Sequence, residues 1–133
     1  MILFEDFENE YKFLDFTLSH SQLLIRSMKN RDRNYNIDLI FKGVSIILSP
    51  TILSGVSISF CESVSEEILN LKDFGLQTGK DDKIFEIRNL AGNIHYINAY
   101  AFGVFHNTLE ILETSICRHN YRIPGENVLW FKG

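Results

Sequence analysis

The chain has 133 residues, of which 45% are hydrophobic and 23% charged, and its 17 acidic and 13 basic side chains give a formal net charge of −4. These values suit one globular domain with a real core and exclude wholesale disorder. The acidic balance disfavours a nucleic-acid binder, which gains affinity by neutralising phosphates, and a membrane-surface protein, which needs Lys and Arg beside an apolar helix face.

Met1 to Glu10 mixes Phe4 and Phe7 with acids and reads as a short helix or an irregular arm. It lacks the basic start and apolar run of a signal peptide. From Tyr11 the pattern changes: Phe13, Asp15 and Thr17 alternate with Leu14, Phe16 and Leu18, a period of two that predicts a strand. Ser19-His20-Ser21 reads as a turn, and Leu23-Leu24-Ile25 leads a second strand toward Met28. Lys29 to Asn36 is polar apart from Tyr35 and rich in Asn and Asp, whose side chains form turns by bonding nearby backbone. With Ile37 to Phe41 as the third strand, a long hairpin is expected. Gly43 marks a bend or bulge, and Pro50, which cannot donate to a ladder, ends the apolar run that follows. The longest apolar stretch, Val44 to Leu53, is interrupted by Ser45, Ser49, Pro50 and Thr51 and falls far short of the roughly 20 residues that span a bilayer. A cytoplasmic protein is expected.

Val56-Ser57-Ile58-Ser59-Phe60 alternates clearly. A helix is predicted over about 63–74: Ser63 and Glu66 have capping-box spacing, Val64, Ile68 and Leu71 form a stripe, and Gly75 sits at the C-cap. Ile84 to Arg88 and the Tyr- and Phe-rich run from Ile94 to Phe105 read as strands, the latter bent at Gly103. Leu109 to Ile116 fits either strand or helix, with strand favoured. Residues 119–127 read as loop, and Val128-Leu129-Trp130-Phe131 is an apolar segment that must pack. The expected fold class is α+β: a β-rich, mostly antiparallel sheet of six to eight short strands in one domain, with one main helix packed on it.

No chemistry-bearing motif stands out. The eight glycines are dispersed, without a phosphate loop or nucleophile elbow. His20, His95, His106 and His119 make no H-x-x-x-H pair, and Cys117-x-His119 lacks the second ligand pair of a structural zinc site. Cys61 and Cys117 read as buried thiols in a reducing compartment. No enzyme activity, cofactor or metal is expected. Arg26, Lys29, Arg31 and Arg33 cluster near the hairpin tip beside Tyr35, the one feature that favours an anion, although a phosphate-binding face normally carries more bases and aromatic platforms. His95, Tyr96, Tyr100 and Phe102 are candidates to line a small-ligand pocket in a curved sheet. Charge falls in blocks: five acids and one base in residues 1–25, two acids and five bases in 26–42, seven acids and three bases in 62–86.

The segments Leu23-Leu24-Ile25-Arg26, Asn36 to Val44, Leu48-Ser49-Pro50, Phe85-Glu86-Ile87, Asn93 to Ala99 and Leu109 to Ser115 form a pattern of two strands, an apolar "ID-x-x-F-x-x-V" segment and a Pro turn. This pattern resembles immunity proteins of bacterial polymorphic-toxin and contact-dependent growth inhibition systems. The resemblance implies a non-enzymatic cytosolic protein that binds a cognate toxin domain, a nuclease in many cases, and blocks its active site. The acidic segments suit such a basic partner, since complementary charge speeds association. On charge layout, Glu62, Glu66, Glu67, Asp73, Asp81 and Asp82 are the expected contacts. A small-ligand-binding or regulatory β domain is the alternative.

Overall fold

A computed structural model describes residues 1–61, 83–116 and 129–132, the last four by their backbone pairing. Nine strands form one sheet: β1 (Ile2–Thr17), β2 (Gln22–Ser27), β3 (Asn36–Lys42), β4 (Ile46–Leu48), β5 (Ile52–Phe60), β6 (Lys83–Arg88), β7 (Ile94–Ala99), β8 (Ala101–Asn107) and β9 (Leu129–Lys132). Their order is β4-β7-β6-β5-β1-β2-β3-β8-β9, and every ladder is antiparallel. The expected β-rich antiparallel sheet is therefore present. The helix expected over 63–74 lies outside the described residues; among those described, the only helical segment is one 3-10 turn, Ser19–Ser21.

The sheet closes on itself. β3 runs into β4 through Gly43, and β7 runs into β8 through Tyr100. The ladders that end at Lys42↔Ala101 and begin at Ile46↔Asn98 are joined around the corner by Tyr100 N–H to the Lys42 carbonyl (2.8 Å) and Ser45 N–H to the Asn98 carbonyl (3.0 Å). The β4–β7 and β3–β8 pairs are thus halves of one bent ribbon, with β9 added beyond β8. Gly43 makes the corner at φ +66°, where an added Cβ would stand 2.9 Å from Tyr100 Cβ. The bend expected at Gly103 falls at Tyr100 instead; Gly103 sits inside β8, paired with Ile40 on one side and Trp130 on the other.

Closure brings distant strands face to face. In a flat sheet β3 and β6, four spacings apart, would be separated by about 19 Å. Yet the Phe41 and Phe85 ring centroids are 5.4 Å apart, and Phe85 and Phe102 5.8 Å. The interior side chains include Tyr11, Leu23, Ile25, Leu39, Phe41, Ile58, Phe85, Ile87, Ile97 and Phe102, all 2% exposed or less. They come from alternate positions of their strands, as the pleat requires. Burial of each aliphatic or aromatic group is worth about 1.5–3 kcal/mol.

Two expectations change. Residues 2–10 are neither helix nor loose arm but the first half of β1, which is paired with β5 from Ile2 to Lys12 and with β2 from Lys12 to Thr17. Register shifts at Ile2/Phe4, Asp6/Glu10 and Phe13/Asp15 let this one strand serve both halves of the fold. Gly55, at φ +77°, faces the middle shift, and an added Cβ there would lie 3.0 Å from Phe7 Cα. Residues 109–116 are not a strand: a turn at Ile111–Leu112 folds this segment over the outer face, where Ile116 joins Leu24, Ile40 and Phe105 in a second apolar cluster.

Candidate functional site

The acidic contacts expected from charge layout, Glu62, Glu66, Glu67, Asp73, Asp81 and Asp82, lie outside the described residues. So does Cys117; Cys61 is half-buried just past β5. The aromatic row on β7 and β8 divides between environments. Phe102 is fully buried in the interior, His95 is half-buried, Tyr96 is 8% exposed outside the interior cluster, and Tyr100 is 42% exposed at the corner.

The basic cluster also separates. Arg26 is not at the hairpin tip surface but fully buried, facing Asp38 across the hairpin. Its Nε donates to Asp38 Oδ1 (2.6 Å) and its Nη2 to Oδ2 (2.9 Å), while Nη1 donates to the Ile111 carbonyl (2.9 Å). Asp38 Oδ2 also accepts from Asn107 Nδ2 (2.7 Å) and Ser115 Oγ (2.6 Å). Asn36 Nδ2 donates to Asn107 Oδ1 and to the Leu109 carbonyl, both at 2.9 Å. These bonds latch residues 109–115 onto the sheet. Lys29 is drawn to the Thr108 carbonyl (3.0 Å), and Arg31 is exposed. The network is a structural centre: Arg26 and Asp38 are sealed from any ligand.

A concavity lies elsewhere. β1 leaves β2 at Lys12 and diverges from the β2–β3 hairpin toward its N-terminus. Between them opens a cleft of about 850 Å³, walled by residues 4–9 on one side and by Asn30, Asp32, Arg33, Tyr35, Ile37 and His106 on the other. Sequence reading did not single out this site. Its visible traces were the acidic excess of residues 1–25, which contribute Glu5, Asp6 and Glu8 to one wall, and Arg33 beside Tyr35 at the hairpin tip, which stand on the other.

Asp6 builds that wall. Its Oδ1 accepts from the Glu8 amide (3.0 Å), and its Oδ2 accepts from Asn9 Nδ2 (2.9 Å) and the Tyr11 hydroxyl (2.7 Å). Partial burial works against the charged carboxylate, but these donors, helped by the positive field of Arg33, outweigh it and hold its pKa below the ordinary value. Burial first, then the bond to Asp6, pushes the Tyr11 hydroxyl well above its usual range, so it remains a donor. Opposite, Arg33 turns two of its three nitrogens back to its own hairpin, Nε to the Tyr35 carbonyl (2.9 Å) and Nη2 to the Ser27 and Met28 carbonyls (3.0 and 2.9 Å) and Ser27 Oγ (2.8 Å), while its buried Nη1 has no hydrogen-bond partner among the described residues. Its guanidinium lies 5.6 Å from the Tyr35 ring centre, and His106 stacks on that ring at 4.6 Å. Burial, then the Arg33 charge, lowers the His106 pKa against a smaller opposing pull from Asp38, so the imidazole is neutral at pH 7.

The cleft thus carries four carboxylates against one guanidinium over an aromatic lining of Phe4, Phe7, Tyr35 and His106. Among the described residues, no three His, Cys, Asp or Glu side chains are placed to share a metal ion, and no helix is long and apolar enough to cross a membrane. Comparison with protein-family models, curated proteins and solved structures finds no match.

Proposed function

We propose that the protein is an immunity-type inhibitor, which binds a basic toxin domain in the cytosol and covers its active site. The observation that carries this function is the open cleft beside β1, with Glu5, Asp6, Glu8 and Asp32 on its walls against a single basic side chain, Arg33. A cleft with an excess of one sign of charge steers an oppositely charged partner and favours it over neutral competitors. The acids between residues 62 and 82 add negative charge to the same chain. The hydrophobic pattern from Leu23 to Ser115 supports the same class of protein.

A small molecule is the second reading, favoured by the cleft's volume, which lies within the range of roughly 300–1,000 Å³ typical of ligand pockets. Co-purification decides between them. The tagged full chain, co-expressed with the product of the adjacent gene, is expected to form a stoichiometric complex that suppresses toxicity. The double variant Glu5→Lys/Glu8→Lys is expected to slow its formation, most visibly at low salt. A folded protein that captures no toxin domain, but retains a small molecule detectable by native mass spectrometry, would move the function to the second reading.

A further inference from the structure

We infer that β4 is the contact edge of a homodimer, in which it pairs antiparallel with β4 of a second copy. The inference stands apart from the inhibitor reading, because it concerns the other end of the molecule: the cleft lies at the start of β1 and β3, and β4 follows the end of β3. β4 is the first strand in the sheet order. Ile46, Ile47 and Leu48 pair with Asn98, Ile97 and Tyr96 on one side, and no backbone hydrogen bond joins their other side to a described residue. On such an edge alternate residues turn their N–H and carbonyl groups outward, which makes it a template for another strand. Natural proteins guard these edges with charge, bulges or short length. The flank of β1 that leaves β2 is guarded in this way, by exposed Glu5, Glu8 and Glu10 and by two register shifts. β4 is short and is soon followed by Pro50, but it carries no charge.

The surroundings select a second copy. The β1–β2 turn lies against the start of β4, because the Gly43 and Val44 amides donate to the His20 and Ser21 carbonyls, both at 3.0 Å. Neither of the segments that meet here, 16–25 and 43–52, contains an Asp, Glu, Lys or Arg. Together they expose Phe16 (44%), Leu18 (89%), Ile47 (40%) and Leu48 (42%). At a net charge of −4, two copies repel where their charged surfaces face, and this end lets them meet without that repulsion. A strongly charged partner finds no steering here. The edge is also complementary to itself. A two-fold axis at Ile47 sets Ile47 against its own copy and Ile46 against Leu48 of the other, so every cross-strand pair is apolar. This contact is small beside the roughly 800 Å² per partner of a stable interface, so the dimer is weak and depends on concentration.

The test uses the full chain in sedimentation velocity from micromolar to near-millimolar concentration. The mass is expected to rise from 15.4 kDa toward twice that value, with amide exchange at Ile46–Leu48 slowing over the same range. Ile47→Lys sets like charges opposite each other across the axis and is expected to weaken association by about tenfold or more, while keeping the circular dichroism spectrum of the parent. Ile47→Glu is expected to behave alike. Mixed together, the two variants are expected to associate with each other, because opposite charges then face across the axis; this recovery sets the effect apart from misfolding. Leu18→Glu, at a position already 89% exposed, is expected to weaken the dimer without touching the core. A chain that stays monomeric across the range overturns the inference, as does a dimer that Ile47→Lys leaves intact or whose slowed amides lie away from β4. A monomer whose β4 amides slow only in a toxin complex assigns the edge to the toxin and also overturns the pairing of copies, while the inhibitor reading stands.

Discussion

Asp38 accepts four hydrogen bonds with no exposure to solvent, two from Arg26 and one each from Asn107 and Ser115. Arg26→Ala leaves that carboxylate buried without its counter-charge, and such losses cost about 3–5 kcal/mol. Urea denaturation of Arg26→Ala is expected to show a fall of that order. Replacing both partners by apolar residues, Arg26→Met/Asp38→Leu, is expected to cost much less while freeing residues 109–115, read as faster amide exchange there. Asp6 makes a separate prediction. Its folded pKa is depressed, so its contribution is complete above the ordinary carboxylate range and is lost as pH falls through the folded value. The stability advantage of the parent over Asp6→Asn, measured by denaturation at several pH values, is expected to be constant above about pH 5 and to shrink below about pH 4. At this scale the pairing of Arg26 with Asp38 was legible in principle, because a hairpin closed around residues 28–36 places them opposite each other. Grouping Arg26 with Lys29, Arg31 and Arg33 by sequence proximity hid it, since alternate strand residues face opposite sides.

The individual strands were the most legible elements. β2, β3 and β6 follow the predicted runs, and the alternation of Val56 to Phe60 lies within β5, because each is a short apolar or alternating segment set off by polar turns. β1 did not. Its interior-packed residues Phe4, Tyr11 and Phe13, with Phe7 at the turn between them, are spaced by three, four and two, because each register shift inserts residues into the period. Such spacing imitates a helix, hence the expected helix or arm over residues 1–10. The same shifts divert β1 from β2 and open the cleft, so the site was hidden by the feature that makes it. Residues 109–116 deceived in the opposite way: Leu109 and Ile111 alternate, but their segment is held by side-chain bonds to Asn36 and Arg26 rather than by a ladder. The corners make the element-scale prediction. Gly43→Ala combines φ +66° with a 2.9 Å approach to Tyr100 Cβ. It is expected to lower stability by more than about 1 kcal/mol, the usual cost of forcing a side chain into that region, as read by thermal or urea melting.

For the molecule as a whole, closure makes stability collective. β1 touches both halves, and Phe85 on one half packs against Phe41 and Phe102 on the other. No half can keep its apolar face dry alone, so unfolding of the described core by fluorescence and by circular dichroism is expected to coincide. Its ladders join residues far apart in sequence: Ile58 pairs with Phe4, and Asp38 with Phe105. Such topology folds slowly, and stopped-flow refolding is expected on a timescale of about milliseconds to seconds.

The long separation of β3 and β8 also sets a schedule during synthesis. Leu39 and Phe41 emerge well before Phe102 and Val104, which pack with them in the core. At a translation rate of about 5–20 residues per second, the growing chain carries this apolar face without its partner for roughly 3–13 s. The ribosome, rather than the finished fold, is therefore where the protein is most exposed to aggregation. Codon choice between positions 42 and 101 becomes a lever on its yield, with slower decoding lengthening the interval in which a chaperone must hold β3.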